Sequence, residues 1–215
     1  MPELIEVELY RSAAAEVVGR TISGVDAPDG WFLKHGATAG AVSDAAVGAS
    51  VRSADRHGKL LLLPLTSGVV LGLRFGMTGR LLVDGRAPIG ALEYTSARAE
   101  PAWERFGLRF RDGGRLAVSD PRRLGGVELD PDVGALGPEA ATVTTAQLRA
   151  ALGRSTAPLK AVLLDQHRLA GLGNLLVDET LWRAGIDPAP PAGEVGAREV
   201  PRLAALIRAT LAGLS

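Results

Sequence analysis

The residues most able to do chemistry stand at the start of the chain, in the run Met1-Pro2-Glu3-Leu4-Ile5-Glu6. Removal of Met1, which a small second residue permits, would leave Pro2 with a secondary α-amine. An α-amine titrates near ~8, against ~10.4 for lysine, so much more of it is unprotonated at neutral pH. Such an amine can attack an aldehyde or hemiacetal carbon, and Glu3 beside it could donate or accept a proton. The run therefore predicts a Schiff-base nucleophile with an adjacent acid–base group.

The same run also fits an ordinary helix start, since proline suits the first helical turn and glutamate favours the positive end of a helix. The two interpretations are compatible, because a helix N-terminus disfavours an added positive charge and so helps to keep the amine neutral. The opening residues alone leave both interpretations open.

Composition narrows the class of protein. The 215 residues are 47% hydrophobic and carry 24 basic and 24 acidic side chains, which is enough chain for one large domain or two small ones. The absence of cysteine excludes disulfides and thiolate metal sites. No apolar run of membrane length and no secretory leader is present in the sequence, so a cytoplasmic protein is expected. Zero net charge argues weakly against nucleic-acid binding.

Hydrophobic spacing predicts a first helix over residues 3–18, ended by Gly19. Its predicted apolar stripe is Ile5, Leu9, Ala13 and Val17. Short strand-like segments follow, separated by glycine turns, at residues 21–25, 49–54, 60–65, 69–75, 80–83, 106–111 and 115–119. Short strands at this spacing are typical of an antiparallel sandwich or barrel.

The pattern changes from strands to helices near residue 130, where residues 130–132 and 136–139 resemble a linker. Helical patterns follow at residues 145–152, 158–166, 174–184 and 197–214, the first of them with Thr144 as its N-cap. We therefore expect an α+β chain. Its predicted parts are a β-rich domain with an N-terminal helix at 1–134, a linker at 135–142 and a helical domain at 143–215.

Two glycine-bounded loops, at residues 74–80 and 120–126, combine apolar side chains with arginines. Their side chains of interest are Met77 in the first loop and Arg122, Arg123 and Leu124 in the second. Apolar side chains framed by arginines suit a wedge that enters a base stack while the cations hold phosphates. Core packing of the apolar side chains and solvation of the arginines is the alternative.

A glycine-rich turn, Gly171-Leu172-Gly173-Asn174, lies between two predicted helices. Such a turn before a helix N-terminus exposes backbone N–H groups that can cradle a phosphate, and Asn174 and Lys160 could add to it. A plain helix connection with glycine caps is the alternative. Lys59, which opens an apolar strand, could likewise bind a phosphate or be a solvated strand end.

Taken in order, six motifs resemble the formamidopyrimidine-DNA glycosylase/endonuclease VIII family. They are Pro-Glu-Leu at the N-terminus, Gly-Lys before an apolar strand, Gly-Met-Thr-Gly, Asp-Pro-Arg-Arg, Leu-Gly-Pro-Glu and Gly-Leu-Gly-Asn-x-x-Val-Asp-Glu. The resemblance covers essentially the whole chain from Pro2 onward. The Asp-Pro-Arg-Arg motif and the context of Lys59 are more similar to the formamidopyrimidine branch.

This resemblance implies an N-terminal antiparallel β-sandwich followed by a helix-two-turn-helix domain. It also implies a DNA glycosylase with abasic-site lyase activity, which repairs oxidised or ring-opened purines in double-stranded DNA by base excision. Pro2 would attack sugar C1′, with Glu3 as acid–base group, before β- and δ-elimination cut the strand. The resemblance implies further roles: Lys59 in the catalytic site, Glu6 and Glu179 as its structural support, Met77, Arg122 and Leu124 in the void left by the flipped nucleotide, and Arg123, Lys160, Gly171, Gly173 and Asn174 on the DNA backbone.

The sequence departs from the family pattern at several positions. Ile5 replaces a second proline, Leu124 a phenylalanine wedge and Leu176 a common tyrosine. The chain ends at Ser215, where the family continues with a lesion-capping loop and a four-cysteine zinc finger. Without cysteine this finger and its structural zinc are absent, so no metal or other cofactor is expected, and DNA binding should be weaker. The chain is either a truncated form or a degenerate paralogue, and the sequence leaves both open.

Three functions remain open. They are the active glycosylase, a non-catalytic or weakly active DNA-binding paralogue, and a two-domain protein without a nucleic-acid role. The pair Pro2 and Glu3 favours the enzyme, because a protein that only binds DNA needs neither. In each case we expect a monomer that does not associate with membranes.

Overall fold

The structure is a computed structural model that describes residues 2–90 and 100–214. The chain divides into two compact units. The first contains Pro2 and Glu6–Pro131, and the second contains Glu3–Ile5 together with the chain from Asp132 onward. The short segment that contains Glu3 therefore belongs to the second unit. The predicted domains, 1–134 and 143–215, had placed this segment in the first domain.

The first helix, α1, spans Leu4–Ala14 and continues as a 3₁₀ turn at Ala15–Val17. Gly19 then takes a left-handed φ of 82°, which confirms the predicted helix end. The predicted apolar stripe is confirmed at Val17, which is buried, and was wrong at Leu9, which is exposed. The face that enters the core of the first unit instead carries Val7, Tyr10, Ala14 and Val17.

In the described residues of the first unit, eight strands form two sheets: β1 (Ile22–Asp26), β2 (Asp55–His57), β3 (Leu60–Pro64), β4 (Val70–Arg74), β5 (Arg80–Val83), β6 (Glu104–Phe110), β7 (Arg115–Ser119) and β8 (Gly126–Leu129). One antiparallel sheet has the order β1-β6-β7-β5, and the other has the order β2-β3-β4-β8. Buried side chains from both sheets form one hydrophobic core. The predicted antiparallel sandwich is therefore confirmed.

Three local predictions in this unit were wrong or missing. The segment 49–54 is not a strand; Ser50 and Val51 form only isolated bridges, and the edge of that sheet is β2. A helix, α2 (Ala39–Ala46), and strand β8 also occur where none was predicted. Both are short, so their hydrophobic patterns are too brief to be distinguished from a loop.

The described part of the second unit contains the remaining long helices: α3 (Thr145–Leu152), α4 (Leu159–Leu164), α5 (Asn174–Ala184) and α6 (Glu199–Leu214). Helices α3 and α5 have their predicted limits. Thr144 caps α3 in a reciprocal capping box with Gln147, as its position predicted. Pro201 lies in the first turn of α6, where the missing N–H would have no helical partner anyway.

The apolar faces of these helices form a core of their own, which also includes Leu4 from the N-terminal segment. This confirms the predicted helical region with a helix–turn–turn–helix element, α4 to α5. No helix within the described ranges is long and apolar enough to cross a membrane.

Candidate functional site

The predicted site residues fall into two groups, one in each unit. The first unit contains Pro2, Glu6, Lys59, Met77, Arg122, Arg123 and Leu124, and the second contains Glu3, Lys160, Gly171, Gly173, Asn174 and Glu179. Each group is organised by one buried carboxylate, which is Asp120 in the first unit and Glu3 in the second.

Asp120 joins the two predicted wedge loops of the first unit. Its carboxylate accepts a short hydrogen bond from the hydroxyl of Thr78, in the loop that carries Met77. It also accepts the backbone N–H groups of Arg122 at 3.2 Å and Gly125 at 2.8 Å, within its own loop. Asp120 and Thr78 are both fully buried, so these bonds form away from water. The loops that we predicted separately therefore form one structure.

Backbone contact between the same loops explains two of their glycines. A Cβ on Gly76 would lie 2.4 Å from the carbonyl carbon of Leu124, and a Cβ on Gly125 would lie 2.4 Å from the carbonyl oxygen of Arg74. Gly76 also has a positive φ of 55°. Any side chain here would push the loops apart, so glycine is required for the close approach.

The side chains that these loops present differ in their availability. Leu124 is 50% exposed, and Met77 is half-buried. Arg122 is exposed, and its guanidinium makes no hydrogen bond or ion pair with the part of the chain that the structure describes. Arg122 and Leu124 are thus open to solvent and Met77 is partly so, and the wedge stays a prediction.

Arg123 is exposed but already paired with a carboxylate. Its guanidinium donates two hydrogen bonds to Asp29, at 2.6 and 2.7 Å. These bonds hold the pKa of Asp29 below its ordinary value, so the pair is ionised at neutral pH. Sequence reasoning gave Arg123 to the DNA backbone, whereas in the structure it fastens its loop to the segment around Asp29.

The N-terminal part of the first group lies on α1 and the turn before β3. Pro2 is buried just ahead of α1, and Glu6 is half-buried in its first turn. The Tyr10 hydroxyl donates to the carbonyl of Gly79 at 3.2 Å. Burial raises the pKa of Tyr10 far above its ordinary value, with Glu6 adding to the rise, so this hydroxyl remains a neutral donor.

Lys59 is half-buried and follows Gly58, whose φ is 56°. Arg56 braces this turn, because it donates to the carbonyl of Gly58 at 2.8 Å and to Glu8 on α1 at 3.0 Å. Burial opposes ionisation of Glu8, but the hydrogen bonds from Arg11 and Arg56 keep its pKa below the ordinary value. The position of Lys59 is thus fixed relative to α1.

Glu3 organises the second group, because its carboxylate caps the N-terminus of α5. One oxygen accepts the N–H groups of Gly173 at 2.7 Å and Leu176 at 3.2 Å, and the other accepts that of Leu175 at 2.9 Å. These are N–H groups that a helix leaves without intrahelical partners, and the positive end of the helix favours a carboxylate. Glu3 is 4% exposed. No local signal in the sequence indicated this contact, since its partners lie at the other end of the chain.

The glycines of the turn make room for the N-terminal segment. A Cβ on Gly173 would lie 2.2 Å from the carboxyl carbon of Glu3, and a Cβ on Gly171 would lie 2.5 Å from the side chain of Leu4. The N–H of Gly173 donates to Glu3, and the N–H of Gly171 donates to Gln166. The phosphate cradle predicted from free N–H groups at these two glycines is therefore wrong, because both groups already have protein acceptors.

Gln166 is a site residue that sequence reasoning missed. Its amide nitrogen donates to the carbonyls of Leu164 and Leu172, at 2.8 and 2.9 Å, while its amide oxygen accepts the N–H of Gly171. This side chain fixes the turn between α4 and α5. A half-buried glutamine beside a glycine-rich turn carries no distinctive spacing, so only its contacts identify it.

The remaining residues of the second group lie on α4 and α5. Lys160 pairs with Asp178 at 2.7 Å, and Glu179 pairs with Arg183 at 2.6 Å. Asn174 is exposed at the first position of α5, and its side chain makes no hydrogen bond within the described ranges. The structure thus brings Glu3, Gly171, Gly173 and Asn174 together, while Lys160 and Glu179 have partners of their own. Among the described residues no cluster of three or more acidic or histidine side chains could hold a metal ion.

Comparison with known proteins gives matches over both units. The family model of the formamidopyrimidine-DNA glycosylase N-terminal domain matches residues 1–127, and that of the formamidopyrimidine-DNA glycosylase H2TH domain matches residues 135–213. The formamidopyrimidine-DNA glycosylase of Chloroflexus aggregans is 36% identical over 221 residues, which cover 99% of this chain and 76% of that protein. The enzyme of the same name from Paracoccus denitrificans is 37% identical, over 98% of this chain and 77% of its own length.

Solved structures give the same result. The MutM (Fpg) protein of Thermus thermophilus has a TM-score of 0.80 and 31% identity, over 99% of this chain and 75% of that one. The Lactococcus lactis Fpg in complex with DNA containing an abasic site has a TM-score of 0.82 and 25% identity, over 99% and 78% of the two chains. With both family models matched across the two units, the chain belongs to the formamidopyrimidine-DNA glycosylase family.

Proposed function

We propose that this protein is a DNA glycosylase with abasic-site lyase activity, which removes oxidised or ring-opened purines from double-stranded DNA in base excision repair. The observation that carries the proposal is the anchoring of Glu3 by three backbone N–H groups at the start of α5. Pro2 is bonded directly to Glu3, so this anchor fixes the position from which a Pro2 amine would act. Family membership and the relatives' names supply the substrate class.

The proposed reaction begins after Met1 has been removed. The lone pair of the Pro2 nitrogen forms a bond to sugar C1′, and the damaged base leaves with the electrons of its glycosidic bond and takes up a proton from water. The Glu3 carboxylate accepts the proton that the Pro2 nitrogen loses and delivers it to the ring oxygen as the bond from C1′ to that oxygen breaks, which leaves Pro2 bound as an iminium.

The iminium makes the neighbouring sugar protons acidic. Loss of a C2′ proton expels the 3′ phosphate, and a second elimination expels the 5′ phosphate, which cuts the strand on both sides. In this scheme Lys59 holds a phosphate near the lesion, Glu6 and Glu179 support the site, and Met77, Arg122 and Leu124 fill the space of the flipped nucleotide. Asn174 and Lys160 contact the DNA backbone.

Borohydride trapping tests the nucleophile. The protein, with Met1 removal confirmed by intact mass, is mixed with a duplex that contains one abasic site, and borohydride reduces any iminium to a stable amine. We expect a covalent protein–DNA band whose adduct maps to the N-terminal peptide. Pro2→Glu should lower its yield on the order of a hundredfold or more, because a large second residue keeps Met1 in place and leaves no free amine at position 2, and loss of a nucleophile has effects of at least this size. Pro88→Glu, at an exposed loop proline elsewhere in the first unit, is the matched control and should leave the yield unchanged.

Two outcomes would count against this assignment. An adduct that maps to a lysine would overturn the role of Pro2. Absence of any adduct, with a mobility shift still present, would favour the non-catalytic DNA-binding paralogue.

A further inference from the structure

The inference concerns Trp31, in the 3₁₀ turn Gly30–Phe32 that follows β1. It rests on the proposed function, because it names a further contact with the same DNA. Trp31 is 68% exposed and Leu124 is 50% exposed, and these are the two most exposed large apolar side chains among the described residues of the first unit. Isolated apolar side chains at a surface are common, but two on adjoining segments can contact the same partner.

One ion pair, one backbone hydrogen bond and two close approaches at glycines join the segment of Trp31 to the loop of Leu124 and to the start of β8. Asp29 pairs with Arg123, and the N–H of Lys34 donates to the carbonyl of Val127 at 2.8 Å. A Cβ on Gly125 would lie 3.1 Å from the ring of Phe32, and one on Gly126 would lie 2.5 Å from the side chain of Lys34. The segment of Trp31 is therefore held beside the loop that carries Arg122 and Leu124.

The indole of Trp31 has a cation on one side. The ammonium of Lys34 lies 5.0 Å from the ring centroid and donates to the backbone carbonyl of Trp31 at 2.7 Å. This cation–π contact orients the ring while most of the residue stays in solvent. A cleft of about 580 Å³ adjoins the same segment, lined by Asp29, Gly30, Arg105 and Arg123 among others.

The local charge favours an anionic partner. The nearby carboxylates are neutralised by ion pairs: Asp29 by Arg123, Glu104 by Arg115 and Glu128 by Arg74. Lys34 and Arg122 have no acidic partner within the described ranges. An exposed aromatic ring with cations next to it is the combination that binds an unstacked base together with the adjacent phosphates.

We propose that Trp31 is a second stacking residue, which contacts an unstacked base beside the wedge residue Leu124 when the protein is bound at a lesion, with Lys34 on a neighbouring phosphate. Leucine can fill a gap in a base stack but offers no π surface. Trp31 supplies that surface from the adjoining segment. Its contact would therefore favour DNA in which a base has already lost its stacking partner over intact duplex.

The test compares Trp31→Ala with Trp182→Ala, which removes another exposed tryptophan, 78% exposed on α5 in the second unit. Binding is measured by fluorescence anisotropy, on an intact duplex and on the same duplex with one abasic site. We expect Trp31→Ala to weaken binding of the abasic duplex about tenfold, the size of one base–aromatic stack, and to change binding of the intact duplex less than about twofold. Trp31→Phe should restore most of the loss, and Trp182→Ala should change neither affinity.

A spectroscopic measurement accompanies the affinities. In a Trp103→Phe/Trp182→Phe protein, Trp31 is the remaining tryptophan, and its fluorescence should be quenched when the abasic duplex is added. Equal losses on both duplexes, or unchanged affinity and fluorescence with Trp31→Ala, would overturn the inference while trapping at Pro2 still supported the proposed function. Failure of the unmodified protein both to bind DNA and to give a trapped adduct would instead overturn the proposed function.

Discussion

Asp120 and Glu3 are both buried carboxylates that accept backbone N–H groups, yet they act over very different lengths of chain. Asp120 holds N–H groups two and five residues away and one hydroxyl 42 residues away. Glu3 holds N–H groups 170 to 173 residues away. The bonds of Asp120 form a local turn with one distant hydrogen bond added. The bonds of Glu3, in contrast, can form only when the helical unit has folded.

This difference separates two ways of building a binding surface. Around Asp120 the two loops, 74–80 and 120–126, pack backbone against backbone. Their exposed side chains, Arg122 and Leu124, are therefore held in place and can contact a partner. Around Glu3 the N-terminal segment occupies N–H groups that a ligand would otherwise use. The first arrangement presents groups to a partner, and the second fixes the residue next to the proposed nucleophile.

Asp120→Ala should give the larger loss of stability. It leaves the Thr78 hydroxyl and the Gly125 N–H buried without an acceptor, and it also removes the acceptor of the part-buried Arg122 N–H. Each buried donor costs about 1–3 kcal/mol, so we expect the free energy of unfolding to fall by about 4 kcal/mol, as measured by urea denaturation of the whole chain. Asp44→Ala, an exposed acid on α2, is the control and should stay within about 0.5 kcal/mol of the parent. A loss below about 1 kcal/mol for Asp120→Ala would mean that backbone packing at Gly76 and Gly125 holds the loops alone.

Glu3→Gln should have a smaller effect, confined to the start of α5. The amide keeps the shape but replaces one acceptor oxygen with a donor, so at least one helix N–H loses its partner, at about 2 kcal/mol. Hydrogen exchange at the amides of Leu175 and Leu176 should then be about 30-fold faster, since 1.4 kcal/mol corresponds to a factor of about ten. The control Glu16→Gln should leave both rates unchanged. Unaltered exchange in Glu3→Gln would show that Glu3 does not cap α5 in solution.

Asp178→Asn should have the smallest effect of the three on the free energy. It tests whether the ion pair with Asp178 keeps Lys160 from binding a phosphate. The change releases Lys160 from its ion pair, which is worth little at a surface, and lets the lysine reach a phosphate. We expect about threefold tighter binding to duplex DNA at low salt, and a salt dependence steeper by about one unit. Glu194→Gln removes one negative charge from the same unit without releasing a lysine. An equal gain with that control would mean that net charge alone is responsible.

Much of the fold could be predicted from the sequence, because its signals are local. Thr144 and Gln147 stand at capping-box spacing, and α3 begins where they predict. The turns at Gly68 and Gly85 likewise have the positive φ that their positions indicated. The strand predicted at residues 49–54 failed because apolar alternation cannot show whether a partner strand is within reach.

The site could be predicted less fully, because the decisive contacts join residues that are distant in the chain. The loop glycines indicated tight turns, but nothing near Arg123 showed that Asp29 would pair with it across 94 residues. Similarly, the turn at residues 171–174 was interpreted as a phosphate cradle, because nothing in its own sequence shows that Glu3 accepts the N–H of Gly173. The sequence therefore identifies candidate site residues, and the fold shows which of their polar groups already bind other protein groups.

The position of Glu3 also sets the order in which the protein matures on the ribosome. The acceptor bonds of Asp120 can close once residue 125 has been made, whereas Glu3 must wait for Leu176, some 50 residues later. At about 5–20 residues per second that interval lasts about 3–10 s. During this time Glu3 has none of its helix N–H donors. Trimming of Met1, which the proposed reaction requires, would therefore have a window before Glu3 is anchored, and slower translation across residues 126–176 would lengthen it.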